Sequence, residues 1–396
     1  MKKIYLLLLC VIFIFFGSSC ASNIAKNDVE ILAGYPKESP FSETPTRVLY
    51  VDSGILYYYN KLDGENYVFC FDPICRHNDF RECIALKFQM SDSYQPIKYC
   101  AENNRFYALR SEQLYSFSFD GSDLQLEFSF GEHGGMDEII YMPYGVRNLN
   151  IVGKYVFCLI PDADTGITCL MRYDVETESM EVAYQDTENN ISDYLCVGNV
   201  VYMALTGTEP GLYCADLEFA VVEQVSKNII DFSNGVYWND KIYYLQTKML
   251  INEDQSMKPI SEKLICYSFE TNAFADVLTI DDSTRYNLLS VTDEYIYFTK
   301  QEERYFGYHV HQFGSDKDYN NYSRIYRYDM STEQMEVVLD DLSCETKQIY
   351  FVDDRVLIMG NQCIISEGNA KKTAGAFCAD IDEYGNFVNL VHIKSN

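Results

Sequence analysis

Cys70, Cys75, His77 and Cys83 place three thiols and one imidazole in the spacing C-x4-C-x-H-x5-C. Soft sulfur and imidazole donors at short separations are what a tetrahedral zinc ion takes. The spacing matches no standard finger. Outside the cytoplasm, two cysteines this close also commonly pair. Cys75, His77 and Cys83 are therefore candidates for a metal site or a Cys75–Cys83 disulfide, with free thiols as the third reading. Such a small loop, if bridged, gains about 2–3 kcal/mol on chain-entropy grounds.

A second concentration of chemistry runs from Arg304 to Tyr322 and holds Tyr305, Tyr308, His309, His311, Asp316, Asp318 and Tyr319. Aromatic platforms with a few polar groups suit a sugar or a peptide. His309 and His311 share one side of an extended strand, so they can hold a metal together with Asp316 or Asp318. The competing reading is a solvated hairpin whose aromatics pack on the neighbouring unit. Elsewhere no G-x-S-x-G, H-E-x-x-H or P-loop occurs. Asp162-Ala163-Asp164-Thr165-Gly166 and Asp380-Ile381-Asp382 resemble fragments of calcium loops but lack the remaining ligands, and read as turns. Acidic pairs are too numerous to nominate a glycosidase dyad.

The elements that position these residues are strands. From residue 46 on, short aromatic and β-branched runs alternate with turn residues. One segment recurs, an aromatic or aliphatic run ending in an acid: Tyr67–Asp72, Leu114–Asp120, Leu170–Asp174, Leu212–Asp216, Leu264–Glu270, Ile325–Asp329 and Ala376–Asp380. The acids lie 48, 54, 42, 54, 59 and 51 residues apart, the period of propeller blades. An Asp that opens a tight turn accepts a hydrogen bond from backbone two residues on, which explains the acid. A strand follows each segment and a hairpin precedes it. The expectation is an all-β propeller of seven blades, each of four antiparallel strands, with six or eight blades as alternatives. A lone blade cannot bury both of its faces, so the units must stack around an axis.

In this alignment Cys70 stands two residues before its acid, as do Cys214 and Cys378, with Ser118 and Ser268 in the same slot. Cys70 is accordingly expected to be a small core residue. Cys75, His77 and Cys83 then fall in an insertion between the third and fourth strands of the first blade. Residues 248–262, 301–323 and 361–374 are expected to be insertions between second and third strands of the last three blades, thickening the opposite face. Cys100, Cys158, Cys169, Cys196 and Cys266 read as buried small hydrophobes within strands.

The chain has 396 residues, of which 47% are hydrophobic and 15% aromatic, too apolar for a disordered chain. Lys2 and Lys3 precede a 13-residue apolar run, Ile4–Phe16, and the run Gly17-Ser18-Ser19-Cys20 follows. That is an export signal too short to span a bilayer. Removing it takes the formal charge from −28 to −30. A field of that sign repels nucleic acid and anionic lipid, which argues against nucleic-acid partners. The small-small-small-Cys ending resembles the bacterial lipobox, and the resemblance implies that Cys20 carries the lipid. Cleavage near Ala21 without lipid is the alternative. Residues 21–45, with Pro36, Pro40 and Pro45, read as a polar spacer, and 46–396 as one domain.

The Tyr-x-Tyr-Asp strand endings, the run Leu56-Tyr57-Tyr58-Tyr59 and the element Cys70–His77 resemble propeller lipoproteins of unknown function from Gram-positive anaerobes. The blades are similar to those of the low-density-lipoprotein-receptor class. None carries the Tyr-Trp-Thr-Asp tetrapeptide of that class, and Trp238 is the only Trp. The resemblance implies a fold and a location at the cell membrane, facing outside the cytoplasm, and no activity. The expected role is non-catalytic binding of a surface glycan, peptide or protein partner. The alternative is a surface carbohydrate-active hydrolase or lyase. No cofactor is expected beyond a zinc ion at Cys75, His77 and Cys83.

Overall fold

The computed structural model describes residues 33–36, 39, 41–52, 55–72, 75–77, 83–87, 97–110, 113–130, 147–162, 165–230, 232, 235–251, 257–280, 285–301, 324–341, 344–366 and 369–393. They form seven four-stranded sheets, each made of four consecutive antiparallel strands. The first blade holds β1 (Ser42–Glu43), β2 (Arg47–Asp52), β3 (Ile55–Asn60) and β4 (Glu65–Val68). The second holds β5 (Ile97–Cys100), β6 (Arg105–Arg110), β7 (Gln113–Ser118) and β8 (Gln125–Ser129). The remaining blades begin at β9 (Arg147–Val152), β13 (Asn189–Val197), β17 (Val236–Trp238), β21 (Arg285–Val291) and β25 (Cys344–Val352). These first strands are neighbours, β5 with β9, β9 with β13, β17 with β21 and β21 with β25, and so line the axis.

Seven apolar clusters hold the ring, one at each seam between blades. Phe157, Leu170, Ile191 and Tyr194, for example, join the third blade to the fourth. Val48, Tyr50, Tyr350 and Leu357 join the first to the seventh. Each fully buried Phe or Leu contributes about 1.5–3 kcal/mol, and none of it is available to a blade alone. The aromatic load read from the sequence is thus spent at seams. Because every blade is complete in itself, no strand is exchanged where the ring closes.

Six of the seven recurring segments are third strands, as expected. Asp120, Asp174, Asp216 and Asp329 each accept the amide two residues on. In the seventh blade that duty falls to Asp382, which takes the amides of Tyr384 and Asn386. The first blade departs from the expectation. Its third strand is β3 and its corner acid is Asp63, which accepts from the Glu65 amide. Tyr67 and Val68 belong to the fourth strand, so Tyr67–Asp72 begins one strand further out than expected.

The propeller also starts earlier than residue 46. Ser42–Glu43 pairs with Val48–Leu49, and Gly34 and Pro36 bridge to Val291 and Val236 on inner strands. Residues 33–45, expected within a spacer, belong in part to the axis because Ala33, Tyr35 and Phe41 have apolar partners there. The insertions of the fifth and seventh blades are extended hairpins, Lys241–Ile251 with Met257–Ser268 and Arg355–Ser366 with Asn369–Ile381. Asp162 makes a hairpin turn, accepting from the Thr165 amide.

Candidate metal centre

The shift of register in the first blade changes what Cys70 is. It lies beyond β4, in the link to the second blade, and the insertion joins blades rather than a third strand to a fourth. The Phe69 amide still donates to Leu56 at 2.9 Å, and the Cys70 amide to Val68 at 2.7 Å, so the chain turns sharply there. Phe69 is fully buried and packs edge-on against Phe106 and Phe117 of the second blade. Helix α1 (Ile84–Lys87) enters the same cluster through Ala85 and Leu86. The link therefore fills the seam and rests on the Gly121 corner, where an added Cβ would stand 2.9 Å from Phe69 Cε1 and 3.2 Å from Ile84 Cδ1.

Above this apolar base the sulfur atoms of Cys70, Cys75 and Cys83 and a ring nitrogen of His77 all lie within 4.8 Å of one another. The Cys75 amide donates to the Asp72 carbonyl at 3.1 Å, and His77 adopts φ 50°. That turn aims the His77 amide at Cys75 Sγ, 3.4 Å away, and brings Nδ1 to 3.3 Å from Cys83 Sγ. Cys83 is buried while Cys70, Cys75 and His77 are half-buried. Burial, reinforced by the neighbouring thiols, pushes the Cys83 thiol up to about 12, and burial also raises Cys70. Such thiols stay protonated until a cation displaces their protons.

The donor set fits zinc. Four donors within 4.8 Å of one another can close around one ion, and three sulfurs with one imidazole are a structural zinc set. Four protein donors fill the coordination shell, so the centre would brace the link rather than activate a water. Cys75 and Cys83 are free thiols in the structure, as is Cys70. Sequence reasoning identified Cys75, His77 and Cys83 and discarded Cys70, which the structure restores. The missed signal was the run Lys61-Leu62-Asp63-Gly64, a corner in its own right between two strands.

Cys20, Tyr305, Tyr308, His309, His311 and Tyr319 lie outside the described residues. Cys100, Cys158, Cys169 and Cys266 are buried within strands as expected, and Cys196 is half-buried. Two carboxylates with described surroundings stand on inner strands. Glu43 is held by Lys61 and Tyr350. Asp193 is buried and accepts from Asn148 Nδ2 at 2.6 Å and the Tyr194 amide at 2.8 Å.

No family model matches the chain, and no curated protein matches it. Solved structures share the fold. Oligogalacturonate lyase from Vibrio parahaemolyticus is 10% identical with a TM-score of 0.44, over 90% of this chain and 93% of that one. A puromycin hydrolase mutant is 9% identical with a TM-score of 0.50, over 92% of this chain and 54% of that one. The propeller domain of the Trilobed protease from Pyrococcus furiosus, described as having an open velcro topology, is 10% identical with a TM-score of 0.42, over 92% and 98%. These neighbours include enzymes, and the likeness is one of fold.

Proposed function

We propose that this chain is a non-catalytic binding module. In this reading it is a propeller outside the cytoplasm, anchored by lipid on Cys20, that captures a surface glycan, peptide or protein partner. A structural zinc ion on Cys70, Cys75, His77 and Cys83 fixes the link between its first two blades. One observation carries the reading: the only metal-ligand cluster among the described residues is a closed set of four donors at a seam, off the axis. A catalytic zinc keeps an open position, which this set does not leave. Glu43 and Asp193, at the axis, are committed to neighbours and so support binding rather than acid–base chemistry.

The test is a glycan and peptide array on the mature chain, with metal content measured on the same sample. Capture of a ligand without turnover, and one zinc per chain, are expected. Release of new reducing ends or unsaturated sugars from a captured glycan would replace this reading with the carbohydrate-active one.

A further inference from the structure

The N-terminal segment enters the ring at one mouth, and that fixes which face an anchor holds toward the membrane. Each blade runs first strand to turn to second strand, so turns between first and second strands share a face with those between third and fourth. The other face carries the hairpins between second and third strands. Gly34 pairs with Val291, the last residue of β21, exchanging amide and carbonyl bonds of 2.7 and 3.1 Å. Ser290 Oγ donates to the Gly34 carbonyl at 2.8 Å. The pairing is antiparallel, so Ala33 lies on the side of the turn at Thr292.

Tyr35 then stacks on Tyr350 of the seventh blade, ring centroids 4.3 Å apart, and its hydroxyl accepts the Phe351 amide at 2.9 Å. Pro36 bridges to Val236 of the fifth blade before the chain becomes β1 of the first. Three blades besides the first grip this segment, and each grip lies within three residues of a turn between first and second strands.

We infer that the face bearing the turns between first and second strands is the membrane-side face, and that the opposite face, with the long hairpins, points outward. The inference rests on the lipid anchor at Cys20 proposed above. From Cys20 to Ala33 the chain reaches at most about 45 Å when fully extended. A domain of this size has a radius of gyration of about 21 Å, so the path over its surface between opposite mouths is about 80 Å. The tether cannot bring the outward face to the bilayer. Adhesion does not set this orientation, because Asp63, Asp120, Asp174, Asp216, Asp329 and Asp382 all stand at membrane-side corners, where anionic headgroups repel them.

The test uses the full lipidated chain on phosphatidylcholine vesicles containing an acceptor-labelled lipid. A donor dye is introduced through an unnatural amino acid at Leu62 or Tyr384, both exposed at membrane-side corners, or at Thr165 or Glu209, exposed in the outward turns. Energy transfer at least twofold stronger from Leu62 and Tyr384 than from Thr165 and Glu209 is expected. Equal or reversed transfer in protein that floats with the vesicles overturns the orientation alone. Failure to float, with no difference between the parent and Cys20→Ser, overturns the anchor and the orientation with it.

Discussion

Arg327 in the sixth blade donates to the backbone carbonyl of Gly385 in the seventh at 3.1 Å. The same guanidinium reaches the Tyr384 carbonyl at 3.0 Å, pairs with Glu336 and lies 4.6 Å from the centroid of the Tyr295 ring. Arg172 repeats the device from the third blade, donating to the Leu217 carbonyl of the fourth and lying 4.6 Å over Tyr155. Arg47 donates to the Phe119 carbonyl across the first seam at 3.2 Å. The planar fork spreads four such bonds over three nitrogens, whereas an ammonium has three donors on one.

Arg327→Met should therefore lower stability by about 1–3 kcal/mol, the cost of losing two charge-assisted hydrogen bonds to part-buried carbonyls. Arg327→Lys should recover little of it. Glu336→Gln, removing a partner whose side chain is 54% exposed, should cost under about 1 kcal/mol. Urea midpoints read all three. Equal losses in the Met and Gln variants would mean that the ion pair, and not the bonds across the seam, holds this site.

The N-terminal grip makes a second prediction. A Cβ on Gly34 would stand 2.2 Å from the Tyr237 carbonyl oxygen and 2.8 Å from Trp238 Cβ. The backbone cannot yield there, so Gly34→Val should drive the segment from the axis and cost about 1–3 kcal/mol. Amide exchange at Val291 and Phe351, whose amides donate to Gly34 and Tyr35, should accelerate first. Unchanged exchange at both would show that the grip is dispensable.

What could be read in the sequence, and what could not, follows from how far each signal reaches. The corner acids and alternating strands are local, and six blades were placed from them. Asp63 was passed over because Tyr67-Val68-Phe69-Cys70-Phe71-Asp72 imitates a third strand more closely than Ile55–Asn60 does. That single slip carried Cys70 into a core slot beside Cys214 and Cys378. The pairing of Gly34 with Val291 joins residues 257 positions apart and leaves no periodic trace. Prolines at 36, 40 and 45 suggested a spacer, while burial of Ala33 and Phe41 decided otherwise.

Cys70 separates the two alignments by experiment. With Cys70 as a ligand, Cys70→Ser should abolish one-to-one zinc binding, and so should His77→Ala. Cys214→Ser and Cys378→Ser, in strands of the fourth and seventh blades, should leave it intact. Chelation should lower the melting temperature of the parent and not of Cys70→Ser, because zinc binding to the folded chain adds to its stability. Full zinc occupancy in Cys70→Ser would return that residue to the core.

The corner acids make stability depend on pH. Asp120 is held down to about 2 by the Ser118 and Ser122 hydroxyls and the Ser122 amide, and Asp329 to about 2 by the Ser331 hydroxyl and the Thr332 and Ser331 amides. Each carboxylate is more acidic folded than unfolded. Its contribution is therefore complete above the ordinary value of 3.8 and is lost as pH falls through about 2. Urea midpoints should hold steady from neutral pH to about 5 and then drop steeply between about 4 and 2. Asn retains the oxygen that caps the turn but not the charge, so Asp120→Asn with Asp329→Asn should fold at neutral pH. The double variant should show a shallower loss below pH 4 than the parent. A slope identical to the parent's would place the acid sensitivity elsewhere in the chain.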